Sequence, residues 1–184
     1  MSANPQHQTG SKVPSAARLL GPRVGGWPGK GRPAAVKVDV KRILVGIDGS
    51  DNSRLALSWA VAVAQAFGAE VIAVHAVGLL THLDPGPPVP SQGHRDEIRR
   101  AFEQDWSAEL AASGVSHHRV ILDGSPVPVV LDAAEEWAAD LIVVGSRGLG
   151  GFPEVLLGST SHQLAQHAHR PVLIVAPGQQ GARP

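Results

Sequence analysis

Arg42-Ile-Leu-Val-Gly-Ile-Asp-Gly-Ser-Asp-Asn52 is the stretch that decides the fold. Its first half, Arg42 to Ile47, is too short for a helix and apolar without alternation, as a strand buried on both faces is. Asp48 to Asn52 is turn chemistry. Leu55, Ala56, Trp59, Ala60 and Val63 then recur at helical spacing over 53–67, until Gly68 stops the helix. The same alternation continues along the chain. Val71–Val77 reads as a second strand and 94–113 as one amphipathic helix ending near Gly114. Val120-Ile-Leu122 lies in a third strand, and Ser125-Pro126 opens a helix running to Ala139. Leu141–Val144 is a fourth strand, Ser159–Ala168 a helix and Pro171–Ala176 a fifth strand. Strands apolar on both faces, alternating with helices, predict an α/β fold: one open parallel sheet covered on both sides. Such sheets bind ligands beyond the carboxyl ends of their strands, where strand order reverses. Asp48 follows the first strand and Gly145 closes the fourth; sequence order alone leaves open whether those strands are neighbours.

Composition narrows the function. The chain has 184 residues, no cysteine and a formal net charge of zero. Disulfides, thiol catalysis and cysteine metal sites are excluded, and the composition fits a cytoplasmic protein. No apolar run approaches the ~18 residues of a membrane span. Charge is unevenly placed. Lys12, Arg18, Arg23, Lys30, Arg32, Lys37, Lys41 and Arg42 stand against Asp39 alone in the first 42 residues, and no lysine follows Lys41. Residues 1–40 are basic, rich in Gly and Pro, without hydrophobic period, which predicts a disordered extension. Nucleic-acid binding by this basic stretch is left open.

The segment Val144–Thr160 carries the chemistry. Gly145, Gly148 and Gly158 punctuate it, and Ser159-Thr-Ser161 reads as a helix start. Glycines let backbone turn and approach a ligand, and a helix N-terminus favours an anion, so the pattern predicts a phosphate cradle. It is not a P-loop, which needs Gly-Lys-Ser/Thr. Nor is it a dinucleotide fingerprint, because Pro153 stands where the third glycine belongs. Lacking a phosphate-gripping lysine, it reads as a holding site rather than a fast hydrolase. Asp48 is a candidate for nucleotide hydroxyls or a metal. An aspartyl-phosphatase role is disfavoured, because Gly46 occupies the nucleophile position. Val144 breaks any nucleophile elbow around Ser146. Of the nine histidines, His162 and His169 lie two helical turns apart without a third ligand. Trp59, Trp106 and Trp137 read as core or interface residues of helices. Pro171 and Pro177 bracket the last strand, which is strongly apolar; at a sheet edge it would need covering, by its copy in a second subunit or by a helix of the same chain.

These stretches resemble the universal stress protein family over residues 40–177. The resemblance rests on Ile43-Leu-Val-Gly-Ile-Asp-Gly-Ser50, Val74-His-Ala76, Val143-Val-Gly-Ser-Arg-Gly148, Leu157-Gly-Ser159 and Arg170-Pro-Val-Leu-Ile-Val175. The family's ATP-binding branch shares Gly-x2-Gly-x9-Gly-Ser/Thr, which Gly145, Gly148, Gly158 and Ser159 satisfy. The resemblance implies a Rossmann-like fold of the adenine nucleotide alpha-hydrolase type, a five-stranded parallel sheet of order 3-2-1-4-5. It implies ATP, with Mg²⁺ near Asp48, in a site containing Gly46, Ile47 and Asp48. Ala76 would hold adenine through its backbone. Val144, Gly145, Ser146, Arg147, Gly148, Gly158, Ser159, Thr160 and Ser161 would surround ribose and phosphates. A homodimer through Val172, Leu173, Ile174 and Val175 is implied as well. The domain is expected at 41–177, with a flexible tail at 178–184. The implied function is that of a nucleotide-dependent regulator in stress response with at most slow hydrolysis. Two alternatives are a phosphoester hydrolase using Asp48 and Mg²⁺, and a dimeric protein-binding module with a vestigial site. The basic extension and the proline-rich loop at 85–90 depart from the family pattern.

Overall fold

The apolar runs form the strands of one parallel sheet. The computed structural model describes residues 38–78, 92–149 and 157–178. Expectations for the N-terminal extension, the loop at 85–90 and the end of the C-terminal tail lie outside the described residues. The elements are β1 (Arg42–Gly46), α1 (Asp51–Phe67), β2 (Glu70–Val77), α2 (Gln92–Ala101), α3 (Ala108–Ser113) and β3 (His117–Asp123). They continue with α4 (Pro126–Glu136), β4 (Leu141–Gly145), α5 (Ser159–His167) and β5 (Val172–Val175). The sheet has five strands in the order β3-β2-β1-β4-β5, all parallel, with Val45 level with both Ala73 and Val143. This is the expected topology, and it makes β1 and β4 neighbours.

Ile43, Leu44 and Val45 of β1 are completely buried because helices cover both faces. Each contributes ~1.5–3 kcal/mol through burial. Ile43 and Val45 point toward α1, Phe102 and Leu110, whereas Leu44 points toward α4 and α5. The chain therefore leaves β1 to one face and β4 to the other, opening a crevice between their carboxyl ends. At the opposite pole, the Lys41 and Arg42 amides donate to Asp140 Oδ2 at 2.8 and 3.0 Å.

Local departures from the expected elements have identifiable causes. Helix α1 begins at Asp51 because Ser50 caps it, its side chain accepting from Ser53 N at 3.2 Å. Its buried face is Ala56, Leu57, Ala60, Val61 and Ala64, while Trp59 is 52% exposed and is not core. The expected single helix over 94–113 is interrupted by a π-helical turn at Phe102–Trp106. There Ser107 N and Oγ both donate to the Phe102 carbonyl, at 3.0 and 2.6 Å. Arg119 of β3 holds Ser107 in place through Nε to Oγ at 2.8 Å and Nη2 to the carbonyl at 3.1 Å. Helix α4 stops at Glu136 instead of Ala139, since Ala138 takes a positive φ of 47° and turns Ala139 into the core.

Candidate functional site

The crevice is built where three backbone segments close on one another. Beyond β1, Asp48 folds its carboxylate over its own turn, with Oδ1 accepting from Ser50 N at 3.0 Å and Ser50 Oγ at 2.6 Å. Its Oδ2 accepts from Leu149 N at 3.1 Å, clasping the loop that follows β4. Asn52, in the first turn of α1, donates from Nδ2 to the Arg147 carbonyl at 3.2 Å. The start of α5 is tied to the same loop: Gly158 N donates to the Ser146 carbonyl at 2.7 Å, and Ser161 Oγ to the same carbonyl at 2.8 Å.

These contacts explain the glycines differently from the sequence expectation. A Cβ on Gly145 would lie 2.8 Å from the Asn52 backbone, and one on Gly148 would collide with Asp48 Oδ2. A Cβ on Gly158 would sit 3.3 Å from Arg147 Cα. In each case the close neighbour is the protein's own chain. The glycines let β1, β4 and α5 converge, and the cradle results from that convergence.

Between the converging segments lies a cleft of about 530 Å³, a volume ordinary for a small-molecule site. Val74 and Ala76 of β2 with Pro126 and Val130 of α4 line it with apolar groups. Arg147, Ser159, Thr160 and Ser161 line it beside β4 and α5 together with the apolar Val144 and Leu157, and Asp48 follows β1 between them. Helix α5 opens at Gly158 without a capping side chain, so its first-turn amides lack the partner that Ser50 supplies to α1. A helix start of this kind favours an anion. Of the residues expected at the nucleotide site, all line the cleft except Ser146. That residue is 2% exposed beneath it and joins the loop to β5, Ser146 N donating to the Val175 carbonyl at 2.7 Å.

Sequence reasoning missed Ser53, Val74, His75, Pro126, Val130, Leu149 and Leu157 as lining residues. Pro126 had a visible signal, since it opens a helix at the same end of the sheet as Asp48. His75 is held by its Nδ1–H donating to the Ile47 carbonyl at 2.7 Å, a bond that fixes the tautomer because a carbonyl only accepts. Burial pushes its pKa below the ordinary histidine value, partly opposed by that bond and by the Asp48 charge. Both Asp48 oxygens have protein donors, and no cluster of three His, Asp or Glu suited to a metal occurs among the described residues. The start of α5 therefore fits an anion through backbone donors, and a metal there would rely on oxygens brought by the ligand. Among the described residues no helix is long and apolar enough to cross a membrane.

The sequence model of the universal stress protein family matches residues 39–176. A universal stress protein of Thermus aquaticus is 38% identical over 136 residues, covering 73% of this chain and 98% of that protein. The structure of a universal stress protein from Lactobacillus plantarum superposes with a TM-score of 0.66 at 27% identity, covering 76% of this chain and 99% of the other. A second, solved in complex with cAMP, gives a TM-score of 0.57 at 29% identity, covering 76% and 98%.

Proposed function

The chain belongs to the universal stress protein family, and from that premise we propose that it binds ATP in the cleft between β1 and β4 and acts as a nucleotide-dependent regulator of a stress response. The observation that carries this reading is a cleft lined both by apolar groups of β2 and α4 and by the uncapped start of α5. The apolar slot of Val74, Ala76, Pro126 and Val130 suits a nucleobase, and the uncapped start of α5 beside Arg147 suits phosphates. A relative crystallised with cAMP supports an adenine nucleotide as the ligand class. Ala76 holds adenine through its backbone. Gly46, Ile47 and Asp48 meet the ribose, and Gly145 to Gly148 with Gly158 to Ser161 surround the phosphates. Mg²⁺ enters with the nucleotide, next to Asp48. Hydrolysis is slow at most, because no lysine follows Lys41 and Asp48 is already engaged by Ser50 and Leu149. The functional unit is the domain expected at 41–177 together with the buried Val40, paired with a second copy through Val172–Val175 at the sheet edge.

The deciding experiment is direct. Protein purified without added nucleotide is denatured, and the supernatant is analysed by chromatography for adenine nucleotides; apo protein is then titrated with ATP. Free ATP at about 100 times Kd should raise the melting temperature by roughly 5–10 °C. Neither released nucleotide nor any thermal shift would sink the proposal and favour a protein-binding module with a vestigial site.

A further inference from the structure

Asp48 is flanked by two peptides, each held by a side chain from another element. On one side, the Ile47 carbonyl accepts the Nδ1–H of His75 at 2.7 Å. On the other, Gly49 has a φ of +85° and lies under the Trp106 indole, where an added Cβ would be 2.6 Å from Cε2 and 2.9 Å from Nε1. The two holding side chains also touch each other. The His75 and Trp106 rings meet edge to face at 5.1 Å and 63°, and Phe102 packs on His75 at 6.0 Å. Trp106 is not among the residues lining the cleft. It reaches Gly49 from the π-turn, which Ser107 and Arg119 lock to β3. Turns of this type inside helices often mark functional sites.

We propose that Trp106, pressed on Gly49 by the π-turn, is a positioning residue that sets the Asp48 carboxylate at the rim of the cleft and so tunes nucleotide affinity without touching the nucleotide. The inference rests on the nucleotide reading for its affinity consequence alone. The physical argument is preorganisation. Asp48 reaches Ser50 and Leu149 at once only while its two flanking peptides stay in place. His75 restrains Ile47 through a hydrogen bond, whereas Gly49 has the greatest backbone freedom of any residue type and is restrained by the indole face. Removing the indole releases that peptide, and the binding site must then be ordered at the expense of affinity.

The test compares wild type, Trp106→Ala and Trp106→Phe, in full-length protein, by amide hydrogen exchange and by ATP titration. Trp106→Ala should speed exchange about tenfold at the Ser50 and Leu149 amides, which donate to Asp48, and leave the Gly158 amide, which donates to Ser146, unchanged. ATP affinity should fall about tenfold in parallel, the scale of coupling between residues in contact. Trp106→Phe, which keeps a ring over Gly49, should restore most of both. Equal acceleration at Gly158 would make Trp106 a general stability residue, and unchanged exchange at Ser50 and Leu149 would remove its role; either overturns the proposal. Should Trp106→Ala not fold, Gly49→Ala disturbs the same contact from the other side and carries the same expectation. Wild-type protein that takes up no ATP overturns the nucleotide reading, while the exchange comparison still decides the role of Trp106.

Discussion

His75 illustrates how one side chain links stability to the site. Its imidazole is buried between Phe102 and Trp106 and favours the neutral form. In the unfolded chain it takes up a proton more readily, so acidification below the ordinary value of 6.5 favours unfolding, and this loss is complete once pH has passed below the depressed folded value. His75→Gln keeps a donor for the Ile47 carbonyl and removes the titration. The variant should show a flatter fall of melting temperature on acidification, with a change within about 4 °C at about pH 8. Calorimetry across pH checks it; an unchanged slope would assign the acid sensitivity elsewhere. At this scale the spacing of Gly145, Gly148 and Gly158 was readable in the sequence. Their reason was not, because the atoms that forbid a Cβ belong to Asn52, Asp48 and Arg147, each brought there by tertiary structure. Ser146 likewise sits inside the motif yet beneath the cleft, a distinction that strand pleat and burial decide and spacing does not.

Among the elements, β5 makes the sharpest claim. The Pro171 and Val175 carbonyls accept from Ile142 and Ser146 of the β4 side, so the alternate residues Val172 and Ile174 turn their backbone groups to the open edge. Proline is tolerated on an edge but removes one donor there. Ile174→Pro should therefore convert the proposed dimer to a monomer in sedimentation velocity while retaining a cooperative melt; a wild type that is monomeric, or a variant that stays dimeric, would overturn pairing through β5. Strand assignments were legible because short, wholly apolar runs have few alternatives, and β1 to β5 fall where the runs do. The helix after β2 was legible in extent but not in its break. The π-turn depends on Arg119, distant in sequence, reaching Ser107, and local periodicity carries no trace of that contact.

For the whole molecule, the matched family segment at 39–176 leaves the basic stretch before it unmatched. Val40 is 8% exposed and packs with the α1 layer, so a shortened chain must retain it. A chain beginning at Val38 should bind ATP within about twofold of full length and melt within about 4 °C of it; a larger loss of affinity would assign the basic stretch a part in binding. The distribution of lysine has a practical consequence for such measurements. Lys41, beside the Asp140 clasp, stands at the pole of the sheet away from the cleft, and the other lysines all precede residue 38. Among the described residues, none that lines the cleft carries a primary amine. Amine-directed labelling at Lys41, the one lysine among the described residues, therefore modifies the pole of the sheet opposite the residues that line the cleft.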